Sequence, residues 1–334
     1  MQNKQNVNYI QSKYFNYNEY NSNANTNSSK KRSQSLLVIN NNANINYNKY
    51  YLNSETFRVI SKYSVDIIKF SKDIQSHYSF PKHYLLRHEI SSTLRTHIIE
   101  WIMEVFIPYK NNSPTFLLTV QIMDLYFLKT KSTIKENEIH LIAITCIFIA
   151  SKIEDSPPLQ MKHILKCISH NKYTESQISK QERIILKELN FDIFPLTIND
   201  IISTILNEFA ITNRNEIKMF NLTNHLHSLN DLSLFFAKIM TLNEHFNSYL
   251  LLNKAIACIH ISIDILRKES KSLMPQHEEY LTQWLSAVIS HSQYINTNEL
   301  INIYNDLTQM YNSIKQHKKV ELFHIYKYNS INLK

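Results

Sequence analysis

The 334-residue chain contains no glycine at all. Glycine takes positive φ without a steric cost and lets another backbone or a phosphate approach closely. Its absence excludes a P-loop, a GxGxxG dinucleotide turn and a nucleophile elbow, each of which is built on it. Nucleotide-dependent catalysis by those routes is therefore not expected. Cysteine is scarce too. Cys146, Cys167 and Cys258 are far apart inside apolar helical patterns. They read as small buried hydrophobes in a reducing compartment, forming neither a disulfide frame nor a zinc site. No N-terminal apolar segment of the signal-peptide kind is present, so secretion is not indicated. The longest apolar stretch, residues 141–150, is too short to span a bilayer and fits a buried central helix. There are 15 histidines, but no HExxH, and His225 and His227 lack helical ligand spacing, so no metal site is expected. A net charge of +8 is modest for this length and does not by itself indicate nucleic acid.

What is present is helical. Residues 1–54 are the exception. Sixteen of them are Asn and one, Glu19, is acidic. Few apolar residues recur there at any period, so the segment is expected to be a disordered tail. Within it, Lys30, Lys31 and Arg32, followed by Ser33 and Ser35, form a basic patch of the kind used for nuclear import or phosphorylation. Residues 55–90 are expected to hold an N-terminal helix, marked by Val65, Ile68 and Ile74, and a lead-in after Pro81. A second helix begins near Ser92, with Leu94, Ile98, Trp101, Ile102 and Val105 on one face. Pro114 reads as a first-turn proline opening the third helix. Residues 137–153 are apolar nearly all round. Pro157 and Pro158 stop that helix and start a short one to Cys167. Thr174–Gln177 and Thr197–Asp200 each match a capping box before a new apolar helix. There are no strand signals.

The chain also repeats itself. "AITCIFI" at residues 143–149 recurs as "AIACIHI" at residues 255–261, and "DLYF" at Asp124 is echoed loosely by "DLSLFF" at Asp231. Two copies of an all-helical unit, each around a buried central helix, follow from this repeat.

The quoted residues resemble a family when taken in order. "LRTHIIEW", "TFLLTVQIMDLYF", "LIAITCIFIASKIED" with Pro157 and Pro158, "YTESQISKQERIILKELNFDI" and "LTINDII" resemble the cyclin box, most closely that of the A/B-type mitotic cyclins. The likeness is strong from about residue 60 to 200 and looser to about residue 328, including a closing "HIYKYNSINL". It implies two tandem five-helix cyclin folds, at residues 91–195 and 196–328, behind the N-terminal helix and tail. It also implies a regulatory subunit, without catalytic residues or cofactor of its own, that binds and activates a cyclin-dependent serine/threonine kinase in the nucleus and cytoplasm.

Site residues follow from the resemblance. Arg95 and Asp124 match a buried ion pair tying the first box helix to the second, and both neighbourhoods are strongly apolar, where a charge is tolerated only with a partner. Lys152 and Glu182 match the charged positions that contact the kinase. Ile153, standing where an aromatic is usual, belongs to the same face, as do Leu186 and Phe191. Leu94, Ile98, Trp101, Glu104 and His140 match a groove that docks short substrate and inhibitor motifs. His97 there replaces an apolar residue, and His140 replaces a usual Gln. From spacing alone, Lys152 is an ordinary helix-end cation and Leu94, Ile98 and Trp101 are ordinary core. A second class, a cyclin-fold transcription or nucleic-acid-binding adaptor, would need a dense basic face, whereas the charges of the box are mixed. Neither direct nucleic-acid contact nor a membrane is expected.

Overall fold

The computed structural model describes residues 83–109, 112–193, 196–213, 223–269 and 295–316, with isolated positions between 63 and 81. Among the described residues there are helices and turns but no strand. Five helical segments form a first block. Helix α1, Ser92–Phe106, starts at Ser91, whose hydroxyl accepts the Leu94 N–H at 3.1 Å. Helix α2, Ser113–Lys129, carries Pro114 in its first turn, where the missing N–H has no intrahelical partner to lose. Helix α3, Ile139–Glu154, is buried at every position from 139 to 151 except Leu141. A short α4, Met161–His163, runs on into a π turn, Ile164–Ile168. Helix α5, Glu175–Glu188, opens on a capping box in which Thr174 and Gln177 exchange side-chain and backbone bonds.

The second block opens the same way, with a capping box of Thr197 and Asp200 at the head of α6, Ile198–Thr212. Helices α7, Thr223–Thr241, α8, Leu251–Glu269, and α9, Thr297–Gln316, follow. Each block is organised around one apolar helix. Helix α3 packs against α1, α2 and α5, and α8 packs against α6, α7 and α9. The two halves of the sequence repeat fall inside these central helices. Ala143–Ile149 and Ala255–Ile261 are buried throughout except at His260. The blocks meet where α2 packs on α6 and α7. Thr96 on α1 donates to the Leu242 carbonyl at 2.8 Å, and Gln121 donates to the Leu196 carbonyl at 3.1 Å.

One expectation is corrected. Cys167 is exposed, not buried, while Cys146 and Cys258 are fully buried. The π turn changes the phase of the helix. Ile164 and Ile168 take the inward positions, and Cys167, between them in the apolar pattern, is turned out.

The expected tail over residues 1–54, the apolar markers Val65, Ile68 and Ile74, and the closing segment at 324–333 lie outside the described residues. Asp66, Ile67, Lys69, Phe70, Ser71 and Asp73 are helical. No helix among the described residues is long and apolar enough to cross a membrane.

Candidate functional site

A charge pair is buried at the heart of the first block. Arg95 on α1 is fully buried and grips Asp124 on α2 with two bonds, Nη2 to Oδ2 at 2.5 Å and Nε to Oδ1 at 2.7 Å. Two charges taken out of water need every lone pair and proton occupied. Here they are. Tyr84, in a 3-10 turn before α1, donates its hydroxyl to Asp124 Oδ1 at 2.9 Å. Asn247, from the turn between α7 and α8, donates to Asp124 Oδ2 at 2.9 Å and to the Tyr84 hydroxyl oxygen at 3.2 Å. The remaining Arg95 Nη1 donates to the Thr241 carbonyl at 2.9 Å. Burial, and then the neighbouring carboxylate, push the Tyr84 hydroxyl well above the ordinary phenol range. Burial alone would weaken the Arg95 charge, but the Asp124 carboxylate overrides it and keeps the guanidinium pKa raised. Sequence reading reaches Arg95 and Asp124 but not Tyr84, Thr241 or Asn247. In a chain this rich in Asn, one more Asn in a turn carries no signal.

A different arrangement stands on the surface. Lys152, in the last turn of α3, donates to Glu182 Oε1 on α5 at 2.6 Å and sits 3.9 Å above the Phe148 ring. Its side chain is 41% exposed and that of Glu182 16%, so the pair lies at the boundary between core and solvent. Ile153 and Leu186 are half-buried, and Ile184 is exposed. Just past the end of α5, Phe191 is 64% exposed. Its backbone has φ 58° and its N–H bonds back to the Leu186 carbonyl at 2.8 Å, an αL helix ending. These groups form a mixed charged and apolar surface. A surface of that composition can bind a partner.

The third set of residues lies along α1. Leu94, Ile98 and Trp101 are 8%, 6% and 9% exposed, which seats them in the core with only an edge at the surface. Glu104 is exposed one turn on. The His140 ring packs 4.7 Å from Trp101 and is backed by Tyr173, whose hydroxyl lies 3.1 Å from His140 Nδ1. Burial, and then the charges of Lys172 and His170, pull the His140 pKa down to about 3. His97 Nδ1 is buried with no hydrogen-bond partner among the described residues. Among those residues no group of three His, Cys, Asp or Glu is gathered that would hold a metal.

Comparison with known proteins bears on the family and the fold. Residues 66–194 match the family model of the cyclin N-terminal domain. The chain is similar to the G2/mitotic-specific cyclin-B of Spisula solidissima, 31% identical over 139 residues, covering 42% of this chain and 32% of that one. It is similar to the G1/S-specific cyclin-E of Hemicentrotus pulcherrimus, 33% identical over 129 residues, covering 38% and 29%. A longer match, 24% identical over 233 residues, covers 69% of this chain and 53% of the G2/mitotic-specific cyclin-B1 of Oryzias latipes. The matched segments thus span about a third to a half of those relatives. The X-ray structure of a viral cyclin from herpesvirus saimiri superposes with a TM-score of 0.51 at 17% identity, covering 73% of this chain and 97% of that one. That likeness concerns the fold. The cyclin N-terminal domain model thus matches residues 66–194, and A- and B-type mitotic cyclins are among the proteins to which the chain is similar.

Proposed function

We propose that this chain is the regulatory subunit of a cyclin-dependent serine/threonine kinase in cell-cycle control. One observation carries the reading. Within the cyclin domain, Lys152 and Glu182 meet at the edge of the core beside the outward-facing Phe191, with Ile153 and Leu186 between solvent and interior. Such a face suits a partner helix. Its charges anchor the partner's backbone, and its apolar groups are desolvated on docking. By holding the kinase's movable helix and activation segment, the face restores the Lys–Glu pair and the geometry that phosphoryl transfer needs. The chain adds no catalytic group of its own.

The edge formed by Leu94, Ile98, Trp101, Glu104 and His140 is the second working surface, a narrow groove for short segments of substrates or inhibitors. His97, in place of an apolar residue, is expected to alter which motifs that groove prefers. In this reading residues 91–195 and 196–328 are the two cyclin folds. The basic patch in the tail serves localisation between nucleus and cytoplasm.

The test is a pull-down from dividing cells, scored for a bound kinase and for phosphorylation of histone. Losing one partner of a desolvated, hydrogen-bonded charge typically costs ~2–5 kcal/mol, or roughly 30- to several-thousand-fold in affinity. Lys152→Glu and Glu182→Ala are each expected to abolish kinase capture while shifting folding stability by less than about 1 kcal/mol, the range of an exposed pair. Normal melting with undiminished kinase activation in both variants would overturn the assignment of this face.

A further inference from the structure

Helix α5 turns a row of cations to solvent. Lys180, Arg183 and Lys187 are all exposed and follow one another at i, i+3 and i+7, which puts them on one face. The residues three and four positions from each are uncharged or belong to the row itself. No ion pair from another element reaches them among the described residues. Glu182, the one carboxylate within the span of the row, turns to Lys152 instead. Arg183 Nε donates to the Ser179 carbonyl at 3.2 Å, a partner without charge. Like charges at these spacings repel and destabilise a helix. The helix C-terminus compensates Lys187, in the last turn, but not Lys180, in the second.

Beside the row, Ile184 is 37% exposed. Cations without counter-ions, bordered by one apolar side chain, call for a partner that is anionic and partly apolar. We propose that this face of α5 docks a short, extended acidic peptide segment, with its carboxylates on Lys180, Arg183 and Lys187 and one apolar side chain on Ile184. Length fixes the size. From Lys180 to Lys187 the helix rises about 10 Å, which an extended chain covers in about three residues. Alternate side chains of such a segment point the same way about 7 Å apart, within reach of the long cationic side chains. A nucleic acid fits less well. Glu175 and Asp192, both exposed, stand before and after the row and repel a continuous phosphate backbone that runs past it. The face lies opposite the buried Ile178 and Ile185. It goes beyond the kinase contact proposed for Lys152 and Glu182 and requires neither residue.

The experiment adds the full-length protein to a fluorescein-labelled peptide that alternates Glu with Ser around a single Leu, and follows fluorescence anisotropy. Expected is saturable binding that weakens as salt is raised, because the contacts are between exposed charges. Lys30, Lys31 and Arg32 in the same chain also attract acid, so the decisive comparison is between variants. Lys180→Gln, Arg183→Gln and Lys187→Gln combined should weaken binding by about tenfold or more. The same variant should melt at an unchanged or higher temperature, since a repulsion is removed. Ile184→Ser should weaken binding at high salt as well, where charge attraction is screened. Three outcomes would overturn the proposal. They are no saturable binding by the wild type, equal binding by the combined variant, and single-stranded DNA held on the same cations as tightly as the peptide. If the combined variant does not fold, the three single variants decide, and binding unchanged in all of them refutes the proposal.

Discussion

Arg95 shows why a pair of charges is not always the unit that matters. An isolated buried ion pair can often be replaced by apolar residues at no cost or with a gain. Here Tyr84, Asn247 and the Thr241 carbonyl also depend on the pair. Arg95→Ala is expected to lower stability by about 3–5 kcal/mol, because Asp124 stays buried without its counter-ion. Replacing both, as Arg95→Met with Asp124→Leu, should still destabilise, since each group left unsatisfied costs about 1–3 kcal/mol. Urea unfolding with an unchanged m-value is the measurement, and a double variant as stable as the wild type would refute the network. His140 supplies a pH test. Its folded pKa is depressed to about 3, so the unfolded chain takes up the proton first as pH falls. The contribution of His140 is therefore complete above about pH 6.5, the ordinary histidine value, and is lost progressively as pH falls toward 3. His140→Gln should flatten the pH dependence of stability across that window. The depressed His88 acts in the same direction, so some slope is expected to remain. An identical slope in the variant would contradict the buried, neutral His140.

At the scale of the element, what is local is what can be read. Capping boxes need only residues three apart, and both Thr174 with Gln177 and Thr197 with Asp200 form them. Thr197→Ala is expected to cost about 1 kcal/mol, the usual value of a lost N-cap, measurable as a lower urea midpoint. Helix ends without glycine are harder to foresee. His83, His170, Asn171, Asn190 and Phe191 all take positive φ, a conformation that costs a non-glycine residue about 1–2 kcal/mol. An exposed phenylalanine held there is expected to serve binding more than folding. Phe191→Gly should leave stability unchanged or raise it by up to about 1 kcal/mol, while weakening kinase capture. A clear loss of stability would show that Phe191 is structural. The π turn was not legible at all. Helical period places Cys167 inside, and only the five-residue turn puts it out.

Over the whole molecule, the two blocks share polar contacts that neither can satisfy alone. Asn247 and the Thr241 carbonyl, from the second block, complete the Arg95–Asp124 network of the first, and Thr96 reaches the Leu242 carbonyl. Separating the blocks would leave these groups unpaired, so the described core is expected to unfold in one transition. Arg95→Ala should move that transition without splitting it. Hydrogen exchange of α3 in the first block and of α8 in the second should report the same midpoint. Two midpoints would mean that the blocks are independent.

The sequence by itself determined the helical class, the doubling of the unit and the two central helices, because periodicity and repetition are properties of order along the chain. It also marked Arg95 and Asp124 as charges to be buried, since they stand among apolar neighbours on helices of their own, but it did not mark Lys238, which is buried as well. Only the tertiary structure decided which groups satisfy those charges. Tyr84 precedes Asp124 by 40 positions and Asn247 follows it by 123, and no local pattern links partners so far apart. It decided as well that Leu94, Ile98 and Trp101 keep only an edge at the surface. Exposure and pairing are set by which surfaces meet across the fold, and a one-dimensional pattern does not contain that distance.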